Sequence, residues 1–246
     1  MKQKKGIVFD EANPKQTKRI HSIAKVSADL FSTKGYLETS MHDIAVAAKV
    51  TKGGVYHYFG SKTEILYFIC STYVDLDLEN LKQSLSAIKE RVEKTKFIIF
   101  RHIEHYATHT SAAKTLLNEA YNLPPRYFRE VKSREKKYFD IVAQVLSETL
   151  GVCGKKPVLT ALTFTLFGMM NWIYFWYNPK GPLKPEELSS IIFETFTKGV
   201  DGVSLSWRDE EIGRGSVSAG IFPASGDRGK PSPVRRLCRN MKKPTF

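Results

Sequence analysis

The sequence predicts an all-α protein, and three observations support that fold class. Apolar residues recur three and four positions apart along most of residues 19–200, which is the helical period. Proline, glycine and N-cap residues stand at intervals that suit helices of ordinary length. No run of alternating polar and apolar residues is long enough to indicate a sheet.

The first predicted helix begins near Arg19 and carries one apolar face. It ends at Gly35, because glycine suits a left-handed C-terminal cap. The residues before it, 1–15, are basic and are expected to form a flexible arm. The apolar face consists of Ile20, Ile23, Ala24, Ala28 and Phe31.

Three N-cap signals predict the next three helices. Ser40 precedes the second helix, and Asp43 stands where the acidic partner of a capping box belongs. Thr51 is the predicted N-cap of a short third helix. Ser61 opens a fourth helix, and Glu64 is predicted to complete a second capping box with it.

Helical patterns continue to residue 200 and then stop. Pro124-Pro125, Gly151 and the proline-rich stretch 178–185 supply the main breaks. Residues 207–246 are rich in glycine, serine, proline and arginine and lack periodicity, so they are predicted to form a basic disordered tail. The remaining predicted helices are 75–92, 94–108, 111–122, 125–150, 157–177 and 185–200.

The charge balance favours a polyanionic partner. Lysine and arginine outnumber acidic residues by 38 to 25, giving a formal net charge of +13, and the two ends carry most of the excess. Charged ends that only keep the protein soluble are the alternative. Cys70, Cys153 and Cys238 are too far apart for a C-x-x-C metal pair and odd in number, which fits a reducing cytoplasm. The N-terminus lacks the apolar segment of a secretion signal.

Residues 50–62, VTKGGVYHYFGSK, carry the strongest functional signal. On a helical wheel Val55 and Phe59 point inward, while Lys52, Gly53 and neighbouring aromatic or imidazole rings point outward. Each of two adjacent glycines costs a helix about 1 kcal/mol relative to alanine. That cost is understandable where a backbone must approach a ligand closely. The segment, preceded by a short helix and a turn, predicts a helix-turn-helix; a small aromatic core helix is the alternative.

The stretch SMHDIAVAAKVTKGGVYHYFGSKTEIL closely resembles the DNA-binding domain of the TetR family of bacterial repressors, and the match extends over residues 18–72. The resemblance implies an N-terminal three-helix helix-turn-helix domain, here 16–72, followed by a larger helical ligand-binding and dimerisation domain, here 73–206. It implies a transcriptional repressor and not an enzyme, although activation stays open. One departure is Lys49, where the family commonly has glycine.

The resemblance also implies roles for individual residues at the DNA. Hydroxyls at helix starts would bind phosphates, the glycine-bearing turn of the third helix would approach the groove, and its rings would share base and phosphate contacts. The lysine that opens the fourth helix would hold the DNA backbone. The candidate DNA-binding residues are Ser40, Thr51, Lys52, Gly53, Tyr56, His57, Tyr58 and Lys62.

The second half is rich in aromatic residues, which line both protein cores and ligand cavities. The segment WYNPKGPLKPEELSSIIFETFTKGV resembles the C-terminal part of family members that include regulators of fatty-acid and acyl-CoA catabolism. This resemblance implies a lipophilic effector, with an acyl-CoA as the leading candidate and other lipophilic molecules open. The candidate ligand-binding residues are Phe100, His105, Tyr106, Tyr121, Phe167 and Asn171; no cofactor is expected.

Residues 158–177 carry no charge and are long enough to span a bilayer. The family resemblance implies a different role, in which this helix lies between the ligand chamber and a partner subunit. The last two helices would then form a four-helix bundle across a two-fold axis, and the homodimer would bind a palindromic operator without contacting a membrane.

Three histidines, His102, His105 and His109, fall on one face of a predicted helix. Such a stripe can bind a transition metal, and a metal-dependent enzyme is therefore the alternative function. The order of residues differs from the H-E-x-x-H motif of zinc proteases, so no metal site is predicted.

Overall fold

The structure, a computed structural model, describes residues 14–151 and 156–199. Most of the predicted basic arm and all of the predicted tail 207–246 lie outside the described residues. Within that part of the chain the backbone forms ten α-helices and no strand, which confirms the all-α class. The helices are α1 (Pro14–Lys34), α2 (Met41–Ala47), α3 (Lys52–Tyr58), α4 (Lys62–Leu78), α5 (Leu81–Ala87), α6 (Arg91–Thr108), α7 (Thr110–Glu119), α8 (Pro125–Leu150), α9 (Lys156–Asn171) and α10 (Pro185–Lys198), with 3-10 segments at Ala120–Asn122 and Trp172–Phe175.

The predicted caps of α2 and α3 are present. The Ser40 hydroxyl accepts the backbone N–H of Asp43 at 3.1 Å, and the Asp43 carboxylate accepts the backbone N–H of Ser40 at 2.9 Å. Thr51 caps α3 by accepting the N–H of Gly54 at 3.0 Å. These short-range bonds fix where both helices begin.

The second predicted capping box is only half correct. The Ser61 hydroxyl accepts the N–H of Glu64 at 3.2 Å, as expected. The Glu64 carboxylate, however, accepts the N–H of Gly60 at 2.8 Å and not that of Ser61. The loop before α4 is thus closed one residue earlier than the sequence pattern predicts.

The predicted helix over 75–92 is wrong, because the chain breaks there twice. α4 ends at Leu78, and Asn80 adopts a left-handed conformation with φ 53° before α5 begins. The Arg101 guanidinium donates to the carbonyls of Leu76 and Glu79 at 2.6 and 2.7 Å. This side chain, on α6, satisfies carbonyls that the end of a helix leaves free.

Other boundaries also differ from the predictions. α1 begins at Pro14, five residues before Arg19, and proline suits the first turn of a helix. The helix predicted over 157–177 ends at Asn171 and then tightens into a 3-10 segment. Gly35 does adopt the expected positive φ, 98°, after α1. Lys49 also has a positive φ, 54°, which costs a residue with a Cβ roughly 1–2 kcal/mol.

The helices form an N-terminal head, α1–α3, joined to a larger helical body. α1 packs against α7 and α4, and α4 runs from the head into the body, where it packs against α7 and α8. α6 lies between α8 and α10, and α9 packs on α8. The proposed domain boundary at residues 72–73 therefore falls inside α4 and stays a prediction.

Candidate nucleic-acid interface and ligand cavity

The outward face of α3 is a polar ridge, which we call the α3 ridge and define by Lys52, Gly53, Tyr56 and His57. All four are exposed, and the Tyr56 side chain keeps 46% of its surface. The opposite face is anchored by Val55 and Phe59, which are completely buried. The helical-wheel prediction is thus confirmed, and the ridge is free to contact a partner.

The two adjacent glycines of α3 have different surroundings. A Cβ at Gly54 would lie 3.3 Å from the Thr51 hydroxyl and 3.5 Å from the Val50 Cβ, so its side is already occupied by the protein. A Cβ at Gly53 would meet only the Thr51 hydroxyl, at 3.9 Å. Packing within the protein explains the glycine at 54 but not at 53, so the bare backbone at 53 suits an external contact.

One further ring and two hydroxyls are predicted to contact DNA: Tyr58, Ser40 and Thr51. Tyr58 is half-buried, and its ring packs edge-to-face on His57 at 4.9 Å between ring centroids. Ser40 and Thr51 each accept a backbone N–H, which leaves each hydroxyl hydrogen available to an external acceptor. A hydrogen bond from Lys34, followed by those from Ser40, lowers the pKa of Asp43 to about 2, so the α2 cap stays charged at ordinary pH.

Lys62 is placed differently from the other predicted DNA contacts. Its ammonium group donates to the backbone carbonyls of Tyr36, Leu37 and Thr39, at 2.6, 3.2 and 2.8 Å. It also lies 4.3 Å from the centroid of the Tyr36 ring. Since an ammonium group has three donors, a phosphate contact would require one of these bonds to break. In this structure Lys62 therefore holds the loop between α1 and α2, and burial lowers its pKa. Its predicted contact with the DNA backbone stays a prediction.

The end of α7 reaches the same loop. The Glu119 carboxylate accepts the backbone N–H of Tyr36, and burial raises its pKa. One turn earlier in α7, the Thr115 hydroxyl donates mainly to the Ser111 carbonyl of its own helix, at 2.8 Å, and lies 3.3 Å from the Ala28 carbonyl of α1. The body therefore contacts the head at two levels of one helix.

A mainly apolar cavity of about 480 Å³ lies in the body between α4, α6, α7, α8 and α9. Its size falls in the usual range for small-molecule sites. Charged residues of α8 stand on its wall, and each lysine among them is paired: Lys132 with Glu135 and Lys136 with Asp140, both at 2.7 Å. The lining residues are Tyr73, Val74, Asp77, His102, Tyr106, Ala113, Leu116, Leu117, Lys132, Glu135, Lys136, Tyr138, Phe139, Asp140, Phe164, Phe167, Met170 and Asn171.

Three of the six candidate ligand residues line this cavity: Tyr106, Phe167 and Asn171. The other three do not. Phe100 lines a separate cavity between α6 and α10, and Tyr121 is 71% exposed on the surface. His105 bonds to Asp77 of α4 at 2.7 Å.

Sequence reasoning missed His102, Tyr73, Asp77 and Tyr138 as cavity-lining residues. The wheel of α6 shows which residues share a face but not which face meets the cavity. No sequence signal singles out Asp77, because Asp75 and Glu79 flank it.

Two of the three stripe histidines, His102 and His105, form side-chain hydrogen bonds within the protein. His102 Nδ1 lies 3.3 Å from the Tyr138 hydroxyl, and its Nε2 lies 3.1 Å from Oδ1 of Asn171. Burial lowers the pKa of His102. His109 lines another cavity, between α1, α4 and α7, and burial lowers its pKa as well. Among residues 14–151 and 156–199, no three His, Cys, Asp or Glu side chains are placed to hold a metal ion. The metal-dependent enzyme is not supported.

The outer face of α9 and its 3-10 extension is apolar and exposed. Residues 156–175 have a mean hydropathy of 1.4 and are long enough to cross a membrane by length and composition. One side nevertheless packs in the body, where Thr163, Leu166 and Met170 are buried. The exposed side carries Val158, Phe164, Trp172, Phe175 and, just beyond, Trp176, with 46–63% of each side chain exposed.

Comparisons with known proteins match both parts of the chain. Residues 23–67 match the description "Bacterial regulatory proteins, tetR family", and residues 89–200 match "Tetracyclin repressor-like, C-terminal domain". The HTH-type transcriptional repressor KstR2 of Mycolicibacterium smegmatis is 24% identical over 175 residues, covering 69% of this chain and 84% of that one.

Two solved structures share the fold at higher identity. A TetR-family transcriptional regulator from Bordetella parapertussis 12822 is 28% identical, with a TM-score of 0.73 over 76% of this chain and 98% of that one. AibR, solved in complex with isovaleryl coenzyme A and operator DNA, is also 28% identical, with a TM-score of 0.63 over 72% of this chain and 97% of that one.

The contacts of Lys62 lead to a stability prediction. Lys62→Met should lower the free energy of unfolding by about 2 kcal/mol, because three loop carbonyls lose a charged donor. Lys52→Met, on the exposed ridge, should change it by less than about 0.5 kcal/mol. Urea denaturation at one fixed protein concentration measures both. Unchanged stability of Lys62→Met, together with weaker DNA binding, would instead identify Lys62 as a phosphate contact.

Proposed function

Because this chain belongs to the TetR family of bacterial transcriptional regulators, we propose that it is a cytoplasmic, dimeric repressor that binds a palindromic operator. A lipophilic effector, with an acyl-CoA as the leading candidate, releases it from DNA. The observation that carries the DNA-binding part is the α3 ridge, where an unobstructed glycine backbone lies among a lysine and two ring side chains.

At the operator, the start of α3 enters the major groove. Lys52 and the backbone at Gly53 approach the groove, and Tyr56 and His57 contact base edges. The hydroxyls of Ser40 and Thr51 donate to phosphates beside them, and the half-buried Tyr58 supports His57. Phosphate contacts position the protein and base contacts specify the sequence.

The effector occupies the cavity in the body. The apolar wall of this 480 Å³ space suits an acyl chain, and the coenzyme A portion stays at the wall of α8. Arg129, Lys132 and Lys136 lie within about 60° on that helix. They supply a basic stripe for phosphates once Lys132 and Lys136 exchange their partners Glu135 and Asp140 for the ligand. The similar chain AibR was solved with isovaleryl coenzyme A, which supports this choice.

The dimer forms through α9 and α10. The exposed apolar face carries Val158, Trp172, Phe175 and Trp176, and such a cluster is typical of an interaction surface. Along this face Ala161, Thr165 and Gly168 are exposed and small, which permits a second helix to approach closely. A two-fold dimer then places two α3 helices on two half-sites.

The body has two alternative packings. One binds the effector and the other holds the α3 helices at the operator, so effector binding and DNA binding exclude each other. α4 begins next to the head and forms part of the cavity wall. α7 also lines the cavity, and its C-terminal end bonds to the head. The effector shifts the equilibrium only by its difference in affinity for the two packings.

Gly53→Ala separates helix stability from DNA binding. The substitution should raise the free energy of unfolding by up to about 1 kcal/mol, because alanine favours helix. It should weaken binding to an operator selected from random sequences by at least about tenfold, since the methyl group would stand between the backbone of α3 and the DNA groove. Fluorescence anisotropy measures the affinity, and Ser133→Ala on exposed α8 is the control.

His57→Ala, in the same assay, should weaken operator binding more than binding to random DNA. Equal losses on both DNAs would refute a base-reading role for His57. Unchanged operator affinity of Gly53→Ala would show that the backbone of α3 at Gly53 does not approach the DNA closely.

A charge on the α9 face should separate the proposed dimer. Trp172→Arg is expected to give monomers at concentrations where the unchanged protein is dimeric, because a buried unpaired charge destabilises an interface strongly. Val92→Arg replaces another exposed apolar residue on α6 and should leave the dimer intact. Sedimentation equilibrium distinguishes the two results, and a monomeric unchanged protein would contradict the proposal.

Substitutions in the α8 stripe, which consists of Arg129, Lys132 and Lys136, test where the phosphates of the effector bind. Medium-chain acyl-CoAs should release the operator, and Lys132→Gln combined with Lys136→Gln should raise the concentration needed by about tenfold or more. The same double variant should shift the response to the corresponding free fatty acid less, because that ligand brings one carboxylate to these lysines and not several phosphate charges. Lys82→Gln with Lys89→Gln, on exposed positions away from the cavity, is the matched control.

A further inference from the structure

One buried hydroxyl on the cavity wall lacks a partner. Tyr106 is 3% exposed, and its Oη makes no hydrogen bond to any residue that the structure describes. Burial raises the pKa of Tyr106 to about 12, so the phenol stays protonated and keeps its donor. Buried polar groups almost always form hydrogen bonds in folded proteins. The Tyr106 hydroxyl is therefore a donor available to an acceptor on a ligand.

A second unpaired donor stands on the same wall. The lowered pKa of His102 keeps the ring neutral. With its proton on Nε2, His102 donates to Oδ1 of Asn171 and accepts from the Tyr138 hydroxyl. The Asn171 amide then offers N–H donors that no residue within 14–151 and 156–199 accepts. Tyr106 lies one helical turn from His102, so both donors belong to one region of the wall.

The charge beside these donors restricts what can bind them. Asp77 lines the cavity, is 5% exposed and pairs with His105 at 2.7 Å. Its carboxylate also raises the pKa of Tyr73 and of Tyr138, after the larger effect of burial. A carboxylate or phosphate of a ligand would be repelled here, whereas a neutral oxygen would not.

We propose that the effector carries a neutral, hydrogen-bond-accepting oxygen, such as a ketone, on the apolar part that enters the cavity. Tyr106 and Asn171 donate to this oxygen. The anionic end of the same molecule lies at the α8 stripe, near Lys132 and Lys136. The effector class is thus an oxo-substituted acyl group and not a plain saturated chain. This assignment rests on the proposed function, because it takes the cavity to be the effector site.

Matched ligands test the oxygen directly. Coenzyme A thioesters of six, eight and ten carbons are prepared in three forms: saturated, with a ketone at the penultimate carbon, and with a terminal carboxylate. Isothermal titration with the full-length protein should show one ketone binding about tenfold tighter than its saturated match, with the terminal carboxylate weakest. The corresponding free acids form a second set without coenzyme A.

Tyr106→Phe should abolish the preference for the ketone while retaining affinity for the saturated chain. Tyr174→Phe, at a tyrosine outside the cavity lining, should retain the preference. In the ligand-free protein, Tyr106→Phe should leave the Tm unchanged or higher, because it removes an unpaired hydroxyl. A lower Tm would show that water already satisfies Tyr106 and would overturn the proposal.

The two ligand sets distinguish this inference from the proposed function. Equal binding of ketone and saturated forms, with normal release of operator DNA, overturns the inference and leaves the acyl-CoA repressor intact. A ketone preference among the free acids alone supports the inference and removes coenzyme A from the proposed effector. No ketone preference in either set overturns the inference.

Discussion

The burial of Val55 and Phe59 is the constraint on which the proposed DNA-binding surface depends. Both side chains are completely buried, so the rotation of α3 about its axis is fixed. Its opposite face must then project outward whatever residues it carries. Evolution can therefore change the exposed residues of the α3 ridge without disturbing the fold, and the two faces of this seven-residue helix are nearly independent in their requirements.

The same head is attached to the body by polar contacts at the loop between α1 and α2. Lys62 of α4 and Glu119 of α7 reach Tyr36 from different helices, one bonding its carbonyl and the other its N–H. The backbone at Tyr36 is therefore bonded to α4 and α7, and both of these helices line the cavity. A small relative shift of those helices cannot leave both bonds unchanged, which gives ligand binding a physical route to the head.

Local sequence signals predicted the head well and the cavity only partly. Caps such as Ser40 and Thr51 act on residues three positions away, so the sequence contains both partners. The end of α4 depends on Arg101, more than twenty residues later, and the bonds of Lys62 depend on carbonyls equally far back. The cavity is assembled from five helices, and periodicity within one helix cannot show which of its faces meets the other four.

Asn171 is the last residue of α9 and contacts His102, whereas the next residue, Trp172, is 59% exposed on the apolar face. A single peptide bond thus separates the interior of one subunit from the surface proposed to meet its neighbour. If the proposed dimer forms, a ligand in one cavity would therefore act close to the interface with the other subunit. The first effector molecule would then alter the affinity for the second, and the response to concentration would be steeper or shallower than that of an isolated subunit.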